Sequence, residues 1–224
     1  MRMLFVSIFA NWPPVCYKFG VPTEKRREKI ISVLSKRQPD LQVVLEEVSI
    51  AHNASAVART CEAVGVLHLH IITPEPEKVV FNEAITTRAE KWLEIHFHPN
   101  TSECLSSLKA QGYKIAVTTL SGQPIPYDEI DYCQPMAIVF GNESEGVSST
   151  ALQYADYQIK IPMVGMVQSL NLSVSAAIIL YEAFRQRLDR GLYSSSRLAP
   201  EQFQELLTRW LGNPKPRRPF HQKR

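Results

Sequence analysis

Short apolar segments of strand length alternate with segments of helical periodicity between residues 41 and 181. This alternation is typical of an α/β fold, in which mostly parallel strands form a sheet and helices cover both of its faces. In such sheets, ligands bind beyond the carboxyl ends of the strands. The pattern therefore predicts one α/β domain with any ligand site at one edge of its sheet. The predicted strands are residues 41–45, 68–72, 93–97, 113–119, 136–141 and 157–161.

Residues that begin and end helices divide the segments between these strands. Thr23 and Asn53 are small polar residues of the kind that cap helix N-termini. Gly65 and Gly112 are of the kind that follow helix C-termini. Residues 82–91 have poor periodicity and fit either a loop or a short helix. The predicted helices are residues 23–37, 54–64 and 101–111, one that begins at Ser148, and one that follows Ser169.

Three loops follow predicted strands and lie where a ligand of such a sheet binds. These loops are residues 118–122, 141–146 and 161–171. In the third loop an apolar segment meets the next helix, and four polar residues stand at the join: Gln168, Ser169, Asn171 and Ser173. Two interpretations stay open for this stretch. It is either a core helix with an ordinary polar cap or an apolar wall with hydrogen-bonding groups for a flat ligand.

Length and charge indicate a single domain with a polyanionic partner. The chain has 224 residues, 45% of them hydrophobic, which suits one domain of roughly 150 residues with additions at its ends. Residues 23–37 hold six basic and two acidic side chains, and residues 213–224 hold five basic and no acidic ones. Residues 38–212 are therefore acidic. Basic ends on an acidic body predict a polyanion, although solvated helix faces and a solubilising tail produce the same pattern.

The cysteine and histidine patterns argue against a disulfide framework and against a metal site. Cys16, Cys61, Cys104 and Cys133 are far apart in the chain, and no C-x-x-C pair is present. No histidine lies at ligand spacing from a cysteine, and the histidines show no metal-like grouping. We therefore expect no bound metal and a reducing, cytoplasmic location.

Missing motifs exclude several other classes of protein. No apolar run reaches the roughly 18 residues that a membrane span needs. The chain contains no G-x-G-x-x-G, no G-x-x-x-x-G-K-[S/T] and no G-x-S-x-G motif. These absences argue against dinucleotide binding, a P-loop and a hydrolase nucleophile elbow. Glu143 and Glu145 form a carboxylate pair in a loop, where such pairs are more often solvated than catalytic.

The two ends of the chain do not share the pattern of the domain. Residues 1–22 have a short apolar run, little positive charge before it and no clear cleavage site, which disfavours a signal peptide. We expect a disordered leader or a start codon placed too far upstream, with the true start near Val21. Residues 213–224 are expected to form a basic tail, which leaves residues 23–212 as the domain.

Three stretches of the chain resemble the three motifs of the SPOUT RNA methyltransferases. They are residues 53–60 (NASAVART), residues 138–146 (IVFGNESEG) and residues 161–173 (IPMVGMVQSLNLS). Within that superfamily the chain is most similar to the TrmH family of tRNA ribose methyltransferases. The resemblance covers about residues 24–211. Each motif alone is weak, but the three together in this order are highly specific.

The resemblance implies a deep trefoil knot made by the last strands and residues 161–181, a geometry that periodicity cannot reveal. It also implies that the knot binds S-adenosylmethionine, largely through main-chain groups. The family is dimeric, so the resemblance implies a homodimer in which each site is completed at the subunit interface. The cofactor contacts of the family correspond to Thr118, Leu120, Gly141, Ile161 and Leu170.

The reaction implied by the resemblance is methylation of the ribose 2′-hydroxyl of guanosine 18 in the D-loop of tRNA. The catalytic arginine of the family corresponds to Arg59, and Asn53 positions it. Glu143, Ser169 and Asn171 match the other site residues. A guanidinium has a pKa above about 12 and is a poor base at rest. Arg59 therefore acts either as a base in a perturbed setting or as a stabiliser of the developing alkoxide.

The basic residues correspond to phosphate contacts that position the RNA. They are Arg26, Lys29 and Arg37 in the first helix, with Arg185, Arg187 and Arg197 in the C-terminal helices. One rival is a SPOUT methyltransferase of ribosomal RNA, which the short segment before the first helix disfavours. A second is a non-catalytic RNA-binding protein on the same fold, which the presence of the catalytic residues disfavours. A third, a small-molecule α/β enzyme, leaves the basic ends unexplained.

Overall fold

The computed structural model describes residues 23–48, 51–76, 79 and 81–212, so the expectations for residues 1–22 and 213–224 lie outside it. No helix in this described part is both long and apolar enough to cross a membrane. The strands are β1 (Leu41–Glu46), β2 (His68–Ile72), β3 (Glu94–His98), β4 (Lys114–Thr118), β5 (Ile125–Pro126), β6 (Met136–Phe140) and β7 (Tyr157–Lys160). The helices are α1 (Glu24–Leu34), α2 (Ala51–Val64), α3 (Glu83–Thr86), α4 (Thr101–Ala110), α5 (Ser149–Tyr154), α6 (Leu172–Asp189) and α7 (Pro200–Gly212), with 3₁₀ turns at Ala89–Trp92 and Tyr127–Glu129.

The described strands form one parallel sheet in the order β3-β2-β1-β6-β4-β7-β5. The prediction of an α/β domain with a mostly parallel sheet is confirmed. Each predicted strand is present, and its ends differ from the prediction by at most two residues. Only β5 was not predicted, because a two-residue strand that contains a proline carries no periodicity.

Helices cover both faces of the sheet, and two more cover one edge. Helices α2 and α6 pack on one face, where Val57, Cys61 and Ile179 are buried. Helices α4 and α5 pack on the other face. Helices α1 and α7 pack against each other and against Leu67 and Trp92, close to the amino ends of β2 and β3. Loops lie at the carboxyl edge of the sheet.

Polar side chains cap five of the described helices, and Asn82 and Asn100 cap two of them. Thr23, Ser148 and Asn171 each accept a hydrogen bond from a backbone N–H in the first turn of the following helix, at 3.3, 3.1 and 2.9 Å. The predicted cap at Asn53 is wrong, because α2 already begins at Ala51. Asn53 lies inside the first turn and is buried there. Its side chain is therefore available to partners outside the helix.

Arg37 was predicted to contact RNA phosphate, but only 1% of this residue is accessible, so in this structure it has no surface for that contact. Helix α1 ends at Leu34, three residues earlier than predicted, and the following turn carries Arg37 inward. Its guanidinium donates to the Glu62 carboxylate at 2.9 Å and to the carbonyl oxygens of Glu62 and Val66. Burial lowers the pKa of Arg37, and the charge of Glu62 opposes that shift.

Arg187 is also buried, with no accessible surface, so its predicted contact with RNA phosphate is wrong in this structure. Its guanidinium makes five hydrogen bonds of 2.7–3.3 Å, which match its five N–H donors. The acceptors are the Asp40 carboxylate, the Gln38 side chain and the carbonyl oxygens of Tyr132, Asp40 and Gln134. Arg197 donates to the same carboxylate. The cluster fastens the end of α6 to the segments that precede β1 and β6.

Candidate functional site

A cavity of about 530 Å³ lies at the carboxyl edge of the sheet. Its walls are the segments that follow β4, β6 and β7, together with the first turns of α6. Strands β6, β4 and β7 are neighbours in the sheet, so their carboxyl ends meet at one place. The prediction that these three loops form one site is therefore confirmed. This cavity is the candidate functional site.

Nine of the ten residues predicted to bind the cofactor or to act in catalysis line this cavity. The lining includes every predicted cofactor contact: Thr118, Leu120, Gly141, Ile161 and Leu170. It also includes four of the predicted catalytic residues: Asn53, Glu143, Ser169 and Asn171. The structure brings these side chains together, while the individual function of each stays a prediction. Arg59 is not among the lining residues.

The loop after β6 is held in a tight shape by Asn142. Its backbone N–H and carbonyl pair with those of Gly146 at 2.8 and 2.9 Å, and its side chain accepts from the N–H groups of Ser144 and Glu145. The backbone of the loop folds back onto Gly141, where an added Cβ would overlap the Gly146 carbonyl. Only glycine fits at Gly141, and the main chain is therefore bare at this wall of the cavity.

A chain of side-chain hydrogen bonds crosses one end of the cavity. The Asn53 amide donates to Glu143 Oε1 at 2.8 Å, and its oxygen accepts from the Asn171 amide at 3.1 Å. The oxygen of Asn171 in turn accepts from the N–H and hydroxyl of Ser173. Every amide in this chain therefore has a defined orientation. The chain links α2, the loop after β6 and the start of α6, which lie far apart in sequence.

Arg59 lies on α2 but on its exposed side. Among the described residues, its guanidinium donates a long hydrogen bond of 3.4 Å to the carbonyl oxygen of Ile85 in α3. The side chain of Asn53, which the sequence offered as a partner, is engaged instead with Glu143 and Asn171. Within one subunit the exposed guanidinium is therefore not part of the cavity wall.

The segment after β7 combines a wall of the cavity with an exposed apolar surface. Val164 and Met166 are fully accessible, and Val167 is 62% accessible. Helix α6 continues this surface with an apolar stripe at intervals of seven residues, formed by Val174, Tyr181 and Leu188, each about half exposed. Contiguous exposed apolar surface of this kind marks a site of interaction. Asn171 caps α6, as the first interpretation of this stretch predicts, and also lines the cavity, so the ligand-binding interpretation stays a prediction.

The remaining predicted RNA contacts lie away from the cavity. Arg26 and Lys29 are exposed on α1, at the amino-terminal edge of the sheet. Arg185 is 61% accessible and forms ion pairs with Glu182 and Asp189 on its own helix. It lies roughly 9 Å along α6 beyond Ile179, the last residue of this helix that lines the cavity, at the usual helical rise.

One cluster contradicts the expectation that the histidines have no metal-like grouping. His70, His98 and Cys104 each offer a ligand atom, and these three atoms lie within 4.8 Å of one another. The described cysteines are all free thiols. The available signal was the alternation H-x-H in both β2 and β3, which puts every second residue on the same face of neighbouring strands.

The fold and the cavity together define an α/β protein with a ligand site at the carboxyl edge of a parallel sheet. Residues 40–181 match the SpoU rRNA Methylase family, and the chain belongs to this family. The family recognised from the three sequence motifs is therefore confirmed.

A relative of known name and two solved structures are similar to this chain and support this assignment. The tRNA (guanosine(18)-2'-O)-methyltransferase of Thermus thermophilus is 49% identical over 189 residues, which cover 84% of this chain and 97% of that protein. The crystal structure of the Aquifex aeolicus TrmH/SpoU tRNA modifying enzyme superposes with a TM-score of 0.80 at 45% identity, covering 84% of this chain and 95% of that one. The structure of an AdoMet-bound rRNA methyltransferase from Sinorhizobium meliloti superposes with a TM-score of 0.58 at 26% identity, covering 69% and 59%.

Proposed function

We propose that this protein transfers a methyl group from S-adenosylmethionine to the ribose 2′-hydroxyl of guanosine 18 in tRNA. The observation that carries the proposal is the convergence of nine predicted residues on one cavity. The choice of RNA rests on similarity over nearly the full length of the Thermus enzyme that is named for this reaction. Family membership alone leaves the RNA open, because the family is named for rRNA methylases.

The cavity fits S-adenosylmethionine in size and in chemistry. Its volume of about 530 Å³ lies within the range of small-molecule sites, roughly 300–1,000 Å³. The bare main chain at Gly141 offers a polar backbone beside the apolar walls of Leu120 and Ile161. We assign cofactor binding to these residues together with Thr118 and Leu170. The bound sulfonium supplies an electrophilic methyl group and is itself a good leaving group.

Because the leaving group is already activated, the protein has to align the acceptor hydroxyl and manage its proton. The chain from Asn171 through Asn53 to Glu143 holds a carboxylate oxygen at the cavity with a fixed orientation. We assign to this chain, with Ser169, the positioning of the incoming ribose. Arg59 supplies the positive charge that stabilises the developing alkoxide, or it accepts the proton.

We infer that the chain also forms the deep trefoil knot of the SPOUT enzymes. Strand β4 lies between β6 and β7, and β5 pairs beyond β7. The segment that joins β4 to β6 and the segment that follows β7 are thus brought to the same edge of the sheet. This arrangement supports a knot that wraps the cofactor site.

We propose that the protein is a homodimer, which the apolar stripe on α6 and the exposed position of Arg59 support. Val174, the first residue of the stripe, is the neighbour of Ser175, which lines the cavity, so a second subunit that covers the stripe also comes close to the cavity rim. We propose that Arg59 enters the cavity of the partner subunit, which accounts for its exposed position.

Replacing Tyr181 by glutamate is expected to convert the dimer to a monomer. Tyr181 is 53% exposed at the centre of the stripe, and a carboxylate there would have to be buried without a partner. Sedimentation equilibrium of both proteins measures the change in mass. Phe97→Glu is the control, because Phe97 is also exposed but lies on β3, away from α6. A dimer that persists in Tyr181→Glu would contradict the interface.

Removing the charge of Arg185 is expected to weaken tRNA binding and to lower the slope of log affinity against log salt by about one, as for one lost phosphate contact. Arg185 is exposed, so RNA can displace its intrahelical carboxylate partners. Lys109→Ala is the matched control, since Lys109 is a partly exposed, ion-paired cation on α4 in the opposite helix layer. An unchanged slope in Arg185→Ala would remove this residue from the RNA-binding surface.

The experiment that tests the function is methyl transfer from labelled S-adenosylmethionine to an unmodified tRNA transcript, with the modified nucleotide mapped. We expect 2′-O-methylguanosine at position 18. A transcript with adenosine at that position is the matched control and should accept no label. Label on ribosomal RNA but not on tRNA would retain the reaction and change the substrate. Cofactor binding without transfer to any RNA would favour the non-catalytic rival.

A further inference from the structure

Four histidines form a ladder on the face of the sheet that α4 and α5 cover. His68 and His70 alternate on β2, and His96 and His98 alternate on β3, with His70 in register with His96. The rings of His68 and His96 are joined by a hydrogen bond of 3.0 Å, and those of His70 and His98 by one of 2.9 Å. The methyl-transfer site does not include any of them.

Cys104 closes the group from the helix layer. It lies on α4, is fully buried, and presents its thiol sulfur within 4.8 Å of a ring nitrogen of both His70 and His98. The group therefore joins three elements: β2 through His70, the edge strand β3 through His98, and α4 through Cys104. Two nitrogens and one sulfur form a donor set that suits Zn²⁺.

The hydrogen bonds of His70 define which of its two ring nitrogens carries the lone pair that a metal needs. The Gln42 amide nitrogen donates to the carbonyl oxygen of Pro39, so its oxygen faces His70 Nε2 at 2.6 Å. That oxygen can only accept, so Nε2 carries the proton and Nδ1 carries the lone pair. An imidazole whose second nitrogen donates to a carbonyl oxygen is the usual arrangement of a metal-ligating histidine. The lone pair at Nδ1 points toward His98.

The hydrogen bonds also define which protons metal binding would move. His70 holds its proton at Nε2, where it donates to Gln42, so its Nδ1 is open to a metal. A neutral imidazole carries one N–H, so His98 offers Nε2 once its proton lies on Nδ1. A thiol binds a metal as the thiolate, so Cys104 releases its proton on binding.

We propose that His70 Nδ1, His98 Nε2 and Cys104 Sγ form a Zn²⁺ site that fastens α4 to the edge of the sheet. In tetrahedral Zn²⁺ with bonds of about 2.0–2.1 Å to nitrogen, two nitrogens lie roughly 3.3 Å apart. The two ring nitrogens are 2.9 Å apart, so the metal enters between them after a small separation, and the proton of His98 moves from Nε2 to Nδ1. His98 is half-buried on the edge strand and provides the entry, and water completes the fourth position.

The test uses Co²⁺ as a spectroscopic substitute for Zn²⁺ in the full chain, purified without a histidine tag and stripped with a chelator. A Cys16→Ser background removes the cysteine outside the described residues. We expect one equivalent of Co²⁺ to produce a sulfur-to-cobalt charge-transfer band and the visible bands of a tetrahedral ion. Zn²⁺ should abolish both and release about one proton, because the thiol ionises on binding. Zn²⁺ should also raise the unfolding temperature.

Cys104→Ser is expected to abolish the charge-transfer band and to weaken binding at least tenfold, while the matched control Cys133→Ser retains both. Circular dichroism and S-adenosylmethionine binding show whether each variant is folded. His98→Gln provides a second variant at the half-exposed edge of the site, should the buried serine prevent folding. The proposal is overturned if the full chain shows no charge-transfer band, or if the band survives in both Cys104→Ser and His98→Gln.

Discussion

Replacing Arg59 by alanine is expected to lower the rate of methyl transfer to tRNA by about a hundredfold or more, with binding of S-adenosylmethionine nearly unchanged. General acid–base or electrostatic assistance contributes factors of about 10²–10⁴. Cofactor binding should survive, because Arg59 is not among the residues that line the cavity of its own chain. Single-turnover methyl transfer measures the first quantity and calorimetric titration measures the second.

Arg59→Lys separates the two chemical interpretations of this residue. A lysine keeps the positive charge but loses the planar fork of donors. A partial recovery of rate indicates electrostatic stabilisation of the alkoxide, whereas a shift of the pH–rate profile toward lower pH indicates proton transfer, since an ammonium titrates below a guanidinium. Full activity in Arg59→Ala would contradict both interpretations and the catalytic assignment itself.

Mixed dimers test whether Arg59 acts on the partner subunit. Ser169→Trp fills the cavity of its own chain but keeps Arg59, whereas Arg59→Ala keeps an open cavity. If the arginine acts across the interface, mixing the two inactive variants restores activity, because the open cavity receives an intact Arg59 from its partner. If it acts within its own chain, the mixture stays inactive. Loss of cofactor binding by Ser169→Trp alone is the necessary control.

Replacing Arg187 by alanine is expected to reduce the free energy of unfolding by about 3–5 kcal/mol, the usual effect of breaking a buried ion pair. Arg187 has no accessible surface, and its loss leaves the Asp40 carboxylate with Arg197 as its remaining ion-pair partner. It also removes the donor to the Gln38 side chain and to the carbonyl oxygens of Tyr132 and Gln134. In a domain of this size the melting temperature should fall by about 10 °C. Urea and thermal unfolding at fixed protein concentration measure both quantities, because a dimer makes stability depend on concentration.

Arg185→Ala is the matched control, as it removes the same residue type from the same helix two positions earlier. Arg185 is exposed and paired only on its own helix, so its removal should leave the unfolding midpoint nearly unchanged. We therefore expect the two substitutions to have different effects: Arg187→Ala lowers stability, and Arg185→Ala lowers RNA affinity. Equal destabilisation by both substitutions would contradict this division.

We expect low pH to weaken the ion pairs that Asp40 forms with Arg187 and Arg197. Burial raises the pKa of Asp40, but hydrogen bonds from Arg197 and Arg187 and their charges outweigh it, and the net pKa lies below the ordinary aspartate value. A group with a lowered pKa in the folded state stabilises the protein above its unfolded pKa, and this contribution is lost as the pH falls through the folded one. We expect wild-type stability to decline below about pH 4, and Arg187→Ala to show a smaller acid-dependent loss.

Sequence determined the architecture and the place of the site. The alternation of apolar strands with periodic helices requires a layered sheet, because each apolar face has to be buried against another element. Residues 118–122, 141–146 and 161–171 meet because they follow neighbouring parallel strands. Three local motifs then identified the family. All of these depend on short-range pattern, which a sequence displays directly.

Only the tertiary structure determined which charged side chains are buried and which metal-ligating side chains lie together. The sequence predicts that Arg37 and Arg187 are surface cations. In the structure, α1 ends before Arg37, and the following turn carries this residue inward. Arg187 is enclosed by hydrogen-bond acceptors in the segments that precede β1 and β6. His70 and Cys104 are 34 positions apart and meet only because α4 folds back over β2. A residue type shows that a group can ionise or ligate, whereas its partners and burial are set by contacts between distant segments.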